Sequence, residues 1–137
     1  MITSDRQTSV IIALGSAQTL GWGSTYYLPA ILAAPMARDL GVSTGLVFGA
    51  FSAALIISAC LGPLAGRRID LFGGREVLTF SSLVFAAGLT ILGAANSAGL
   101  LFAGWLVIGI GMAMGLYEAA FSTLAGLYGD KARGAIT

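Results

Sequence analysis

Three long stretches of this chain carry no charge, residues 7–37, 40–66 and 77–117, and each is dominated by apolar residues. An α-helix needs about 20 apolar residues to cross the hydrocarbon core of a bilayer. The first two stretches therefore hold one crossing each, and the third is long enough for two with a tight turn between them. The pattern predicts helices over about 9–36, 44–69, 77–95 and 100–128, in one transmembrane domain spanning 1–137. Ser43 stands where a cap for the second helix is wanted. Asn96-Ser97-Ala98-Gly99 reads as the turn between the last two. Pro29 and Pro35 predict a kink late in the first helix, and Pro63 predicts a bend in the second.

Composition agrees with this pattern. Charged residues make up 9% of the chain, hydrophobic residues 57%, and the mean hydropathy is +0.91. A soluble domain carries roughly 25% charged residues, so this chain could not coat a water-facing surface. The fold class is an all-α membrane protein of four transmembrane helices. A cleaved signal peptide does not fit the first stretch, whose apolar run far exceeds the roughly 7–15 residues of such a segment.

Cys60 is the single cysteine and there is no histidine, so neither an internal disulfide nor a recognisable metal-ligand cluster can be assembled. No cofactor and no enzymatic chemistry are expected, and no basic surface is large enough for nucleic acid. The expected surroundings are the lipid bilayer.

Charge placement sets an orientation. Arg6, Arg67, Arg68, Arg75, Lys131 and Arg133 fall on one side of the predicted membrane, and Arg38 alone on the other. Lysine and arginine accumulate on the cytoplasmic side. Both termini and the loop after the second helix are therefore expected in the cytoplasm, with the chain in a bacterial inner membrane.

Glycine accounts for 20 of 137 residues, mostly inside the predicted helices. Small residues let transmembrane helices approach closely, where dispersion replaces the missing hydrophobic drive. On the fourth helix Gly104, Ile108, Gly111, Gly115, Glu118 and Ser122 recur at spacings of four and three residues, which keeps them on one face. Glu118 thus points into the bundle. An ionised, unpaired carboxylate at that depth costs several kcal/mol. Either Glu118 binds a proton, a cation or a cationic substrate group, or it is a neutral acid hydrogen-bonded to backbone or to a hydroxyl such as Ser122. On the first helix Gln18, Trp22 and Tyr26 step by four along one face. They could line a water-filled cavity, or Gln18 could bond a neighbouring helix while the aromatic residues anchor at the interface.

The most specific motif lies between the second and third helices, Gly66-Arg67-Arg68-Ile69-Asp70-Leu71-Phe72-Gly73-Gly74-Arg75. It resembles the signature loop of the major facilitator superfamily of secondary transporters: Gly66, Asp70, Gly73 and Arg75 match. Leu71 stands where that family has Arg, and Gly74 replaces one of its basic pair. The fourth helix is also similar through Gly109, Gly111 and Gly115, with Trp105 at the family's Arg position, which would shift the polar role to Glu118. The resemblance covers helices one to four, with Gly129 to Gly134 resembling the basic loop before a fifth.

The resemblance implies alternating-access transport of a small molecule, with proton coupling. Gln18, Trp22, Tyr26 and Glu118 would lie on the substrate and proton pathway, because the family's first and fourth helices line it. Gly66, Asp70, Gly73 and Arg75 would form a conformational-switch loop whose Asp70 makes a charge-assisted bond in one state only. Family members have about twelve helices built from inverted three-helix repeats. The chain matches the first repeat unit plus one helix, and so reads as truncated or a fragment, completed by further carboxyl-terminal helices or a second copy. Two rivals remain: a four-helix exporter that dimerises around Glu118, and a non-transporting membrane subunit.

Overall fold

The computed structural model describes residues 4–115 and 117–128, and the side chains of 8–115, 119, 120 and 122–127. Six helices follow one another among the described residues: α1 (Ser4–Ser24), α2 (Leu28–Leu40), α3 (Thr44–Phe72), α4 (Gly74–Gly93), α5 (Ala98–Gly115) and α6 (Tyr117–Tyr128). Among the described residues, α3, α4 and α5 are long and apolar enough to cross a membrane. The molecule is an all-α membrane protein. Its outward-facing residues include Ile31, Ile56, Leu64, Leu71 and Leu83, each more than half exposed, as lipid rather than water requires.

The first helix differs from the unbroken segment expected over 9–36. It stops at Ser24 and a second helix starts at Leu28. Pro29 is the cause, since it has no N–H to donate and its ring would collide with the carbonyl four residues earlier. It occupies the first turn of α2, where a missing N–H costs nothing. The intervening turn is tied down locally. Tyr27 N–H donates to the Trp22 carbonyl at 3.1 Å, and the Thr25 hydroxyl donates to the Gly21 carbonyl at 2.5 Å. Pro35 is accommodated inside α2, and α3 runs through Pro63.

Ser43 caps α3 as the sequence suggests, its hydroxyl accepting from Leu46 N–H at 3.2 Å. The α3–α4 connection is shorter than expected. Gly73 alone separates the two helices, and its φ of 83° is readily available only to glycine.

Central position falls to α5, which packs chiefly on α4 and α3. Its glycines explain how. Gly104, Gly111 and Gly115 lie against Leu92, Phe85 and Ser81 of α4, so the glycine face predicted from spacing is the α4 contact. Gly109 points elsewhere and meets the backbone of Ala54 on α3: a Cβ there would stand 2.5 Å from the Ala54 carbonyl oxygen. Two apolar clusters sit toward opposite ends. One joins α2, α3, α4 and α5 through Ala33, Val47, Ala54, Leu92, Trp105 and Ile108. The other joins Ile69, Val77 and Ala119 near the α3–α4 turn. Arg38 and the group Arg67 to Glu76 stand beyond opposite ends of the apolar stretch of α3, a 29-residue helix about 43 Å long.

Candidate functional site

Gln18 is carried on α1, and its side chain reaches the last residue of α5. Nε2 donates to the Gly115 carbonyl at 3.0 Å, joining positions 97 residues apart. The same contact borders a cavity of about 150 Å³ lined by Gln18, Gly21, Ser81, Ser82, Phe85 and Gly115, among others. Gly115 is needed here, because any Cβ would overlap the Ser81 hydroxyl.

Two polar atoms at this cavity, Gln18 Oε1 and Ser81 Oγ, are buried without a hydrogen-bond partner among the described residues. Ser81 is only 1% exposed. A buried polar group left unpaired costs roughly 1–3 kcal/mol. A cavity of this size, with an acceptor from Gln18 and a hydroxyl that can donate or accept, suits a small hydrogen-bonding guest.

Trp22 and Tyr26 go elsewhere. Their rings are 5.2 Å apart, Tyr26 is edge-on to Phe51 of α3 at 5.7 Å, and Phe51 is edge-on to Trp105 of α5 at 5.2 Å. Edge-to-face pairs of this kind add about 0.5–1.5 kcal/mol each beyond area burial. The chain of rings ties the α1–α2 turn to the bundle core, where Trp105 is fully buried. The three first-helix residues expected on one surface are thus divided between a polar cavity and an aromatic row. Glu118 lies within α6, and its side chain is outside the described residues.

The motif residues are mostly helical. Gly66 and Asp70 belong to the last turns of α3, Arg75 to the first turn of α4, and only Gly73 lies between. Asp70 and Arg75 are exposed, and neither makes an ion pair with a described residue. Both charges oppose the local helix dipole: an acid stands at a helix C-terminus and a base at a helix N-terminus. Local helix stability does not explain their presence. Behind them Gly74 is buried against α6, where a Cβ would stand 2.5 Å from the Ala119 carbonyl oxygen.

Reading the sequence missed Ser81 and Phe51. Ser81 had a weak signal, a Ser81-Ser82 pair inside an apolar helix. Phe51 had none, being one phenylalanine among seven.

The described residues thus form a helical membrane bundle with two unpaired polar atoms beside a small, partly open cavity. The Major Facilitator Superfamily profile matches residues 13–137, and the chain belongs to that family of transporters. The Oxalate:formate antiporter of Oxalobacter formigenes is 33% identical over 101 residues, covering 74% of this chain and 24% of that protein. The Acurin A biosynthesis cluster MFS-type transporter of Aspergillus aculeatus is 36% identical over 73 residues, covering 53% of this chain and 13% of that protein. Hexose transporter 1 of Toxoplasma gondii is 36% identical over 72 residues, covering 52% and 13%. The chain thus spans about a quarter or less of the length of these relatives. No solved structure matches it significantly.

Proposed function

We propose that the chain supplies the first four crossings of a longer secondary transporter that works by alternating access, with α1 and α2 together forming one broken crossing. The observation that carries this reading is the pair Gln18 Oε1 and Ser81 Oγ, buried beside one small cavity with no partner among the described residues. Polar side chains inside a membrane are expensive and mark pathways for substrate or ions. Alternating access needs helices that can part, and a single side-chain bond from Gln18 to Gly115 is a contact that can be made and broken cheaply.

Small carboxylate anions are the first substrates to test, because a relative matched over 74% of this chain is named an oxalate:formate antiporter. The Ser81 hydroxyl and the second N–H of Gln18 Nε2 can donate to a carboxylate, while Gln18 Oε1 accepts from a protonated acid or a water that accompanies it. Proton coupling is assigned to Glu118, the acid on the α6 helix. The loop holding Arg67 to Arg75 and both termini face the cytoplasm of a bacterial inner membrane, on the six-to-one distribution of basic residues.

The test is flux into liposomes containing the complete gene product, with labelled oxalate or formate against hexose, with and without a proton gradient. Gln18→Leu removes both a donor and an acceptor from the cavity and should lower uptake at limiting substrate roughly tenfold. Uptake unchanged by Gln18→Leu would remove the cavity from the pathway. Absence of any substrate flux would favour a membrane subunit that only binds partners.

A further inference from the structure

Near the α3–α4 turn, two apolar grooves share one wall. The larger, about 510 Å³, is lined by Leu61, Leu64, Ala65, Leu71 and Ile110, with Arg67 and Arg68 among its lining. The smaller, about 250 Å³, is lined by Phe72, Glu76 and Val77. Arg68, Phe80 and Met114 belong to both. A cavity of about 150 Å³ already holds a benzene-sized guest, so each groove takes a longer piece of hydrocarbon. Phe80 is 53% exposed between them, a ridge with an apolar trough on either side.

The charges at this site are specific. Arg67 and Arg68 are both exposed in the last turns of α3, where the helix leaves its apolar stretch, and neither pairs with a described acid. Among the described residues Glu76 is the one acid lining either groove; Asp70 lines neither. Two guanidinium groups against one carboxylate leave a single positive charge beside paired apolar troughs. A ligand that fits carries one negative charge, planar-acceptor oxygens suited to guanidinium, and two hydrocarbon chains.

We infer that the Arg67–Arg68 pair and the two grooves flanking Phe80 form a binding site for one anionic diacyl phospholipid, its phosphodiester on the arginines and one acyl chain in each groove. The site sits at the depth where basic side chains meet headgroup phosphates, and attraction there falls off with ionic strength. Glu76 can accept a hydrogen bond from a glycerol headgroup hydroxyl, and the net positive charge of the site selects a net anionic lipid over a zwitterionic one. This inference stands apart from the transport reading, which rests on the cavity at Gln18 and Ser81.

Thermal unfolding of the purified protein in a neutral detergent tests it, with phosphatidylglycerol, phosphatidylcholine or inorganic phosphate added. Phosphatidylglycerol should raise the midpoint by about 5 °C more than phosphatidylcholine. The difference should shrink by at least half in 0.5 M salt, as expected of an exposed charge pair at about a 4 Å Debye length. It should vanish in the Arg67→Gln/Arg68→Gln double variant and persist in the double Lys variant at reduced size. Equal midpoints with the two lipids, or a difference that survives the double Gln change, overturns the site. A shift reproduced by inorganic phosphate alone would make it a plain anion site and discard the acyl grooves. A dimer on size exclusion whose midpoint ignores phosphatidylglycerol would assign the grooves to a second copy. The salt comparison uses unaltered protein, so it decides even if the double variant fails to fold.

Discussion

Replacing Gly109 with alanine adds one methyl group at the closest approach of α5 to α3. That methyl would stand 2.5 Å from the Ala54 carbonyl oxygen, 2.9 Å from its Cα and 3.0 Å from its carbonyl carbon. Ordinary contacts lie near 3.5–4.0 Å. All three atoms are backbone within a 29-residue helix, so no rotamer change can relieve the overlap. The helices must separate by about an ångström, which loosens the buried packing of Val47, Ala54, Trp105 and Ile108 as well. Overpacking of this kind costs about 1–3 kcal/mol, and alanine's better helix propensity returns only about 1.

Gly49, also inside α3, serves as the control, because a Cβ there meets nothing within 4 Å. Gly49→Ala should therefore hold or raise stability while Gly109→Ala lowers it. Thermal melts followed by circular dichroism in one detergent, at one scan rate, should place Gly109→Ala roughly 3–5 °C below wild type for a net cost of about 1 kcal/mol. A Gly109→Ala midpoint at or above that of Gly49→Ala would refute the close α3–α5 contact.

Three further outcomes are expected. For orientation, Arg75→Cys in a Cys60→Ser background should react with an impermeant thiol reagent only after cells are opened; Arg75 is chosen because it is an exposed charged position at the start of α4, whereas a side chain at Gly74 would strike α6. For the turn motif, Asp70→Asn in the complete gene product should slow turnover while leaving the melt equal or raised by a few tenths of a kcal/mol, since an acid at a helix C-terminus opposes the dipole; unchanged turnover would reduce the motif to an ordinary turn. For Glu118, Glu118→Gln retains size and hydrogen bonding but cannot titrate, so gradient-driven accumulation should be lost while substrate exchange continues; normal proton-driven uptake would exclude coupling through this residue.

The membrane class and the family were legible in the sequence because both depend on local quantities. An uncharged apolar run partitions into lipid wherever it sits in a chain, and the Gly66 to Arg75 motif is read from adjacent residues. Ser43 could be recognised as a cap because its hydroxyl acts three residues away. The spacing of Gly104, Gly111 and Gly115 named a packing face, since helical period follows from backbone geometry alone.

Other features waited for the fold. Pro29 foretold a disturbance, but whether the helix would bend or stop depended on how Thr25 and Tyr27 satisfied the freed backbone. Helical spacing placed Gln18, Trp22 and Tyr26 on one face, yet the helix ends before Tyr26, and Gln18 parted from the two aromatic rings. Gln18 meets Gly115 across 97 residues, and Tyr26 reaches Trp105 only through Phe51. Periodicity tells which residues share a face. Which helix that face meets, and whether a polar atom there finds a partner, is decided only when distant segments pack, because hydrogen bonds and ring contacts act over a few ångströms of space whatever their separation along the chain.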